Sequence, residues 1–246
     1  MSSFSCVQDL LARRLWAVGA VKDKMHPDAV QRPSGERGFL LKLHEKDPDA
    51  PLSPVYFNLR TPGNPKPGPL VPAIVEIAGR ALYAHCYQGG ASVAEPNFRL
   101  IAGVPNAGDP FADAFAAVFN EDQVSNVPII RMGKQTAPDG SRQVLGITNG
   151  GVSTGSSVFL VDDLITGADS KLEAVKVIQN AGGCVYDVAV LLDREQGGAQ
   201  ELRRRGINLH SVFKISELLA FYAVIGLMAR GTYDEIMAYI KANSTG

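Results

Sequence analysis

The sequence predicts an α/β fold in which a parallel sheet is covered by helices on both faces. Three observations predict it. From residue 99 onward, strand-length apolar runs alternate with helix-length segments. Those runs are apolar nearly throughout instead of at every second residue, as strands buried on both sides are. Glycines, prolines and polar residues punctuate the joins. With 246 residues, 46% of them hydrophobic and 20% charged, the chain suffices for a single large domain.

The elements follow in order. CVQDLLARRLWAVGAV (6–21) spaces Val7, Leu10, Leu11, Leu15 and Val18 as one face of an amphipathic helix. Lys22 to Gly38, with Pro27, Pro33 and Gly35, reads as a loop. FLLKL (39–43) and PVYFNL (54–59) are strand candidates joined by the proline-bearing EKDPDAP. TPGNPKPGP (61–69) has four prolines and two glycines and cannot be regular structure. Leu70 to Tyr87 returns to helical spacing. RLIAGV (99–104) is a strand, FADAFAAVF (111–119) a helix and VPIIR (127–131) a strand, after which a polar loop runs to about Ser141. SVFLV (157–161) is a buried strand, KLEAVKVIQNAG (171–182) a helix and CVYDVAVLLD (184–193) a second buried strand. Apolar helices around Leu218–Met228 and Tyr233–Lys241 close the chain.

The bulk properties narrow the function classes. A net charge of −1 argues against broad binding to nucleic acid or anionic lipid. No run reaches the roughly 18 apolar residues of a membrane span. The N-terminus has no signal-peptide pattern. Cys6, Cys86 and Cys184 are odd in number and widely spaced, so neither a disulfide framework nor a zinc site is expected. Cys184 reads as a buried small hydrophobe. The expectation is a cytoplasmic chain.

SVFLVDDLITGADSKLEAV (157–175) carries the most chemistry. An apolar strand delivers Asp162 and Asp163 at its C-terminal edge, where ligands bind in open α/β sheets. The loop Thr166–Ser170 then enters a helix whose first N–H groups suit a phosphate. Two carboxylates just before such a cradle suit the vicinal hydroxyls of a ribose, directly or through magnesium. On spacing alone two plainer readings stay open: Ser170 and Glu173 also fit a capping box, and the Asp pair a solvated strand end.

VDDLITGADS resembles the signature for 5-phosphoribosyl 1-diphosphate (PRPP) in type I phosphoribosyltransferases. The resemblance implies that Asp162 and Asp163 hold the ribose hydroxyls and that Leu164, Ile165, Thr166, Gly167, Ala168, Asp169 and Ser170 form the cofactor-binding turn around the 5-phosphate. Ala168 stands where a glycine is common, and Asp169 places an anion beside a phosphate. VLLDREQGGAQELRRRGINLHSVFKISEL (190–218) resembles the corresponding stretch of orotate phosphoribosyltransferases, which implies that Arg194 pairs with the orotate carboxylate. FLLKL with SPVYFNLR (53–60) resembles that family's base-site region. By that likeness Lys42 reaches the diphosphate, and Tyr56 and Phe57 line the pyrimidine site, with plain strand core as the alternative. HEKDPDAP between them is an insertion. LIAGVPNAGDPFADAFA (100–116) resembles the diphosphate loop, with backbone amides of Pro105–Gly108 toward the ligand.

The family's catalytic loop carries a leading arginine, two lysines and a histidine. Here Arg131 matches the arginine, Met132 replaces the next lysine, Lys134 matches the second lysine with a one-residue shift, and no histidine follows. Catalysis is thereby assigned to Lys134, Arg131 and Asp163, with Arg142 a further cation in the loop. The resemblance implies one domain over 1–246: a hood from about 1–65, a core from about 70–220 and C-terminal helices over 218–241. It also implies PRPP and orotate as substrates, magnesium held through PRPP and Asp162/Asp163, and a homodimer. A non-catalytic or altered-specificity relative that binds PRPP or a nucleotide is the rival reading of the altered loop. A dinucleotide site at GGVSTGSS (150–157) does not fit, because those glycines precede a strand.

Overall fold

The structure is a computed structural model that describes residues 4–41, 44, 47–87, 98–136 and 142–243. Helix α1 (Cys6–Ala17) starts with a capping box between Ser5 and Gln8 and buries Leu11, Ala12 and Leu15. It ends earlier than its apolar spacing suggests, because Gly19 turns the chain at φ +70° and Ala20 N–H donates back to the Leu15 carbonyl.

The expected loop over 22–38 is instead two short antiparallel ribbons. Strand β1 (Val21–Asp23) pairs with β4 (Val55–Phe57), and β2 (Val30–Gln31) pairs with β3 (Arg37–Gly38). Gly35, at φ +88°, closes the second ribbon into a hairpin, so the turn residues mark a reversal and not a structureless stretch. Strands of two or three residues are too short to show a period. The expected strand FLLKL is not formed in its described part. Phe39 makes one isolated bridge with Ser53, and Leu40 is exposed. Lys42 and Leu43 lie outside the described residues.

The central sheet comprises β5 (Leu100–Gly103), β6 (Ile129–Thr136), β7 (Arg142–Asn149), β8 (Ser157–Ile165), β9 (Cys184–Asp193) and β10 (Asn208–Lys214). Its order is β10-β9-β8-β5-β6-β7, and every pairing is parallel except β6 with β7. That exception corrects the polar loop expected after Arg131: β6 runs on to Thr136 and turns back as β7, with the tip at 137–141 outside the described residues. Met132 is buried in the core, which is why an apolar side chain follows Arg131.

Strand alternation feeds two cores. Phe159 and Val161 pack with helices α2 (Pro72–Tyr87) and α3 (Asp109–Asp122) on one face. Val158 and Leu160 pack with α4 (Asp169–Asn180) and Leu202 of α5 (Gly198–Arg204) on the other. Helices α2 and α3 cross so closely at Gly79 that a Cβ there would stand 2.6 Å from Ala114. Helices α6 (Ile215–Val224) and α7 (Arg230–Asn243) follow β10, and the Tyr222 hydroxyl donates to the Ala12 carbonyl, joining α6 to α1. Helix α5 and strand β10 have no counterpart in the sequence reading, since a seven-residue helix ending in two arginines shows little apolar period. Cys184 is half-buried and lies outside both cores, its thiol against the Gly155 carbonyl. Because β5, β8 and β9 are parallel, their C-terminal ends deliver three loops to one edge of the sheet.

Candidate active site

The end of β8 sets the site. Asp162 and Asp163 are 3% and 7% exposed, so neither is a solvated strand end. Asp162 accepts from the Asp163 N–H at 2.8 Å and forms a buried ion pair with Lys171, whose ammonium also donates to the Leu164 carbonyl. Asp163 accepts from the Leu164 N–H at 2.7 Å. Burial, with the charge of Asp162 alongside, pushes the Asp163 carboxyl up to about 7, while Lys171, the Leu164 N–H and Arg60 pull the other way.

The following turn leaves its amides available. Ala168 caps α4 without any side-chain hydrogen bond, so no capping box forms. Glu173 instead accepts from the Val144 N–H of β7. The Ile165 and Ala168 side chains are buried in the core, and Leu164 packs partly against it, so these residues meet a ligand only through the backbone. Thr166 and Ser170 are half-buried and keep hydroxyls at the turn, and Gly167 is exposed. Asp169 is exposed and lines a groove along α4 with Lys176 and Arg205.

Two further loops meet this turn. After β5, the Val104 N–H donates to the Val161 carbonyl and the Gly108 N–H to the Val104 carbonyl, which folds Pro105–Gly108 beside the acidic pair. A Cβ at Gly108 would lie 2.3 Å from the Val161 oxygen, so only glycine permits this approach. Lys134, on β6, donates to the Pro105 carbonyl at 3.0 Å. Arg131 is instead held by Asp109 and Asp113 of α3. Burial raises the Asp109 pKa despite that arginine. After β9, the Arg194 N–H donates to the Ile165 carbonyl at 2.9 Å and the Gly198 N–H to the Thr166 carbonyl at 3.0 Å. A side chain at Gly198 would collide with Ile165, so the glycine is what lets this turn seat on the phosphate-type loop. The Arg194 Nε is buried with no hydrogen-bond partner, and burial lowers the guanidinium pKa.

Four of the sequence-matched segments therefore converge, and the structure sorts their residues. Tyr56 lines a cavity beneath the N-terminal ribbon with Arg60, whereas Phe57 is buried in the core, as alternation along β4 requires. Lys42 lies outside the described residues, and so does the Arg142 side chain. Sequence reading missed Lys171 and Arg60. The only available signal for Lys171 was a lysine at a position where α4 otherwise presents apolar residues to the sheet, Leu172, Ala174, Val175 and Ile178.

Residues 72–213 match the family model described as Phosphoribosyl transferase domain. The chain is 28% identical over 193 residues to the uridine 5'-monophosphate synthase of Bos taurus, covering 78% of this chain and 36% of that protein. It is 33% identical over 147 residues to the orotate phosphoribosyltransferase of Sulfolobus acidocaldarius, covering 60% of this chain and 70% of that protein. Among solved structures, the UMP synthase of Leishmania donovani shares the fold with a TM-score of 0.67 at 23% identity, over 97% of this chain and 43% of that one. The chain thus spans less than half the length of these two synthases.

Proposed function

The chain belongs to the phosphoribosyl transferase family, among its orotate phosphoribosyltransferases, and from that premise we propose that it transfers the phosphoribosyl group of PRPP to orotate, giving orotidine 5'-monophosphate and diphosphate. The observation that carries this reading is the seating of the Arg194 turn on the turn that follows the acidic pair, through Ile165 and Thr166. It puts a buried, unpartnered guanidinium Nε at the same sheet edge as a ribose-type carboxylate pair and an uncapped helix N-terminus.

The contacts support a role for each residue. The amides from Thr166 to Ser170 and the dipole of α4 hold the 5-phosphate. Asp163 accepts from the ribose hydroxyls, and its charge favours the oxocarbenium character that develops as the C1–diphosphate bond breaks. Asp162, paired with Lys171, keeps the turn in place. Lys134 and the Pro105–Gly108 amides receive the departing diphosphate. Arg194 takes the orotate carboxylate in a bidentate pair, and Tyr56 offers a ring face to the base. Arg131, held between two carboxylates of α3, anchors the β6–β7 arm.

No group of three potential ligands that could hold a metal ion occurs among the described residues, so these provide no closed metal cage. That fits magnesium, which is held by one or two carboxylates together with substrate phosphates. Asp163 is the carboxylate placed to share it, and the ion would neutralise charge on the diphosphate. We further propose a cytoplasmic homodimer whose first 65 or so residues form a hood over the base; the free cysteines support the compartment. No described helix is long and apolar enough to cross a membrane.

A PRPP-binding protein without turnover is the second reading, favoured by Met132 in the core and by the pairing of Arg131. Incubation with PRPP, magnesium and orotate decides between them. Orotate loss matched by diphosphate release is expected; PRPP binding without either would establish the second reading.

A further inference from the structure

The proline-rich segment 61–69 and the insertion that begins at His44 are two parts of the chain to which the roles above give no specific contact. In the structure both reach one cavity of about 610 Å³ beneath the N-terminal ribbon, lined among others by His44, Tyr56, Arg60 and Lys66. His44 is 8% exposed. Its Nδ1 accepts from the Leu41 N–H at 2.8 Å and also stands 3.1 Å from the Leu41 carbonyl; with that N–H donated to Nδ1, a ring proton sits on Nε2. That Nε2 is buried and has no hydrogen-bond partner. A donor left without an acceptor in a buried place is unfavourable unless a ligand supplies one.

The cations beside it are held in place. The 61–69 segment folds back on the chain that carries Arg60: Gly68 N–H donates to the Thr61 carbonyl, Leu70 N–H to the Arg60 carbonyl, and the Asn58 amide to the Pro67 carbonyl. A Cβ at Gly68 would lie 2.3 Å from the Arg60 oxygen, so the fold-back depends on glycine. This returns Lys66 to the cavity that Arg60 lines. Neither the Arg60 nor the Lys66 side chain has an ion-pair partner among the described residues, and the described lining includes no carboxylate.

We propose that His44, Arg60 and Lys66 form an anion subsite that takes the diphosphate group of the phosphoribosyl donor. Two cations and an imidazole N–H donor match a group with several negative charges, whereas a single carboxylate would leave one cation unneutralised. The position agrees as well. Arg60, which lines the cavity, is near enough to Asp163 to favour its charged form, so the cavity lies toward the ribose end of the site. The two segments thus supply leaving-group contacts in addition to Lys134. The identification of the anion rests on the phosphoribosyl-transfer reading.

Calorimetric titration with magnesium diphosphate, and separately with orotate, tests the subsite. His44→Asn keeps an acceptor near the Nδ1 position and removes the Nε2 donor; Lys66→Met removes a charge from an exposed loop where folding is not at stake. Each is expected to weaken diphosphate binding by about tenfold, with orotate affinity unchanged. Unchanged diphosphate affinity in Lys66→Met overturns the proposal, and so does a loss that falls on orotate instead. The turnover assay on the unmodified chain keeps the two readings apart. Diphosphate binding that depends on these residues without turnover would remove the enzyme and leave the subsite. Turnover with diphosphate binding indifferent to both substitutions would remove the subsite alone.

Discussion

Burial beside Asp162 pushes the Asp163 carboxyl up to about 7 in the folded chain, whereas an unfolded aspartate titrates near 4. Between those values the folded state holds more protons than the unfolded state, so ionisation of Asp163 lowers stability as pH rises from about 4 to 7. Asp163→Asn should therefore be more stable than the unmodified chain at pH 8, by on the order of 1–3 kcal/mol. The gap should close toward pH 4. Thermal unfolding in chelator at several pH values checks this, and a less stable variant at pH 8 would contradict the assigned burial. A residue placed against its own stability is what a ligand-holding carboxylate should show. Arg194 presents the complementary case, a guanidinium whose Nε has lost water without gaining a partner. Arg194→Ala is expected to weaken orotate binding by about 2 kcal/mol, near 30-fold, while PRPP affinity stays within twofold. Calorimetry with each ligand reads the difference, and equal loss of both would remove the assigned role.

At the scale of elements, the site depends on how strand ends are tied to helix starts. Lys171 joins β8 to the first turn of α4 through Asp162 and the Leu164 carbonyl, with both charged side chains about 5% exposed. Breaking such a pair leaves a buried charge, so Lys171→Met should cost about 3–5 kcal/mol. Adding Asp162→Asn to it should recover much of that loss, because the stranded charge is then gone. Denaturant unfolding of the single and double variants measures both, and additive losses would show that the pair is not coupled. The β6–β7 arm is fastened in the same manner, by Arg131 to α3, by Lys134 to the Pro105 carbonyl and by the Val144 N–H to Glu173. The arm was not legible as a hairpin. Its apolar residue after Arg131 looked like a lost cation, and only the packing of Met132 beneath the arm explains it.

For the whole molecule, three loops from parallel strands form one site, and the substrate completes whatever metal coordination it needs. Removing magnesium with chelator is accordingly expected to abolish turnover while shifting the melting temperature by no more than about 1 °C, since nothing in the described residues holds the ion without substrate. A large loss of stability in chelator would instead mean that the chain has a metal site of its own.

The sequence by itself determined the α/β class, the alternation from residue 99 to 193 and the acidic pair with its phosphate-type turn. Each of these is a local pattern: the apolar period within one element, or the residues that join a strand to the next helix. The N-terminal ribbons, the continuation of β6 into β7, the partner of Lys171 and the meeting of His44, Arg60 and Lys66 at one cavity were decided only by the tertiary structure. Two-residue strands have no period, and the partner of a buried charge or donor is chosen by which distant segment folds against it. The motif at 157–175 could therefore announce a phosphate site, but which carboxylate is tied to a lysine, and which is left for the ribose, depends on α4 returning its first turn onto the end of β8.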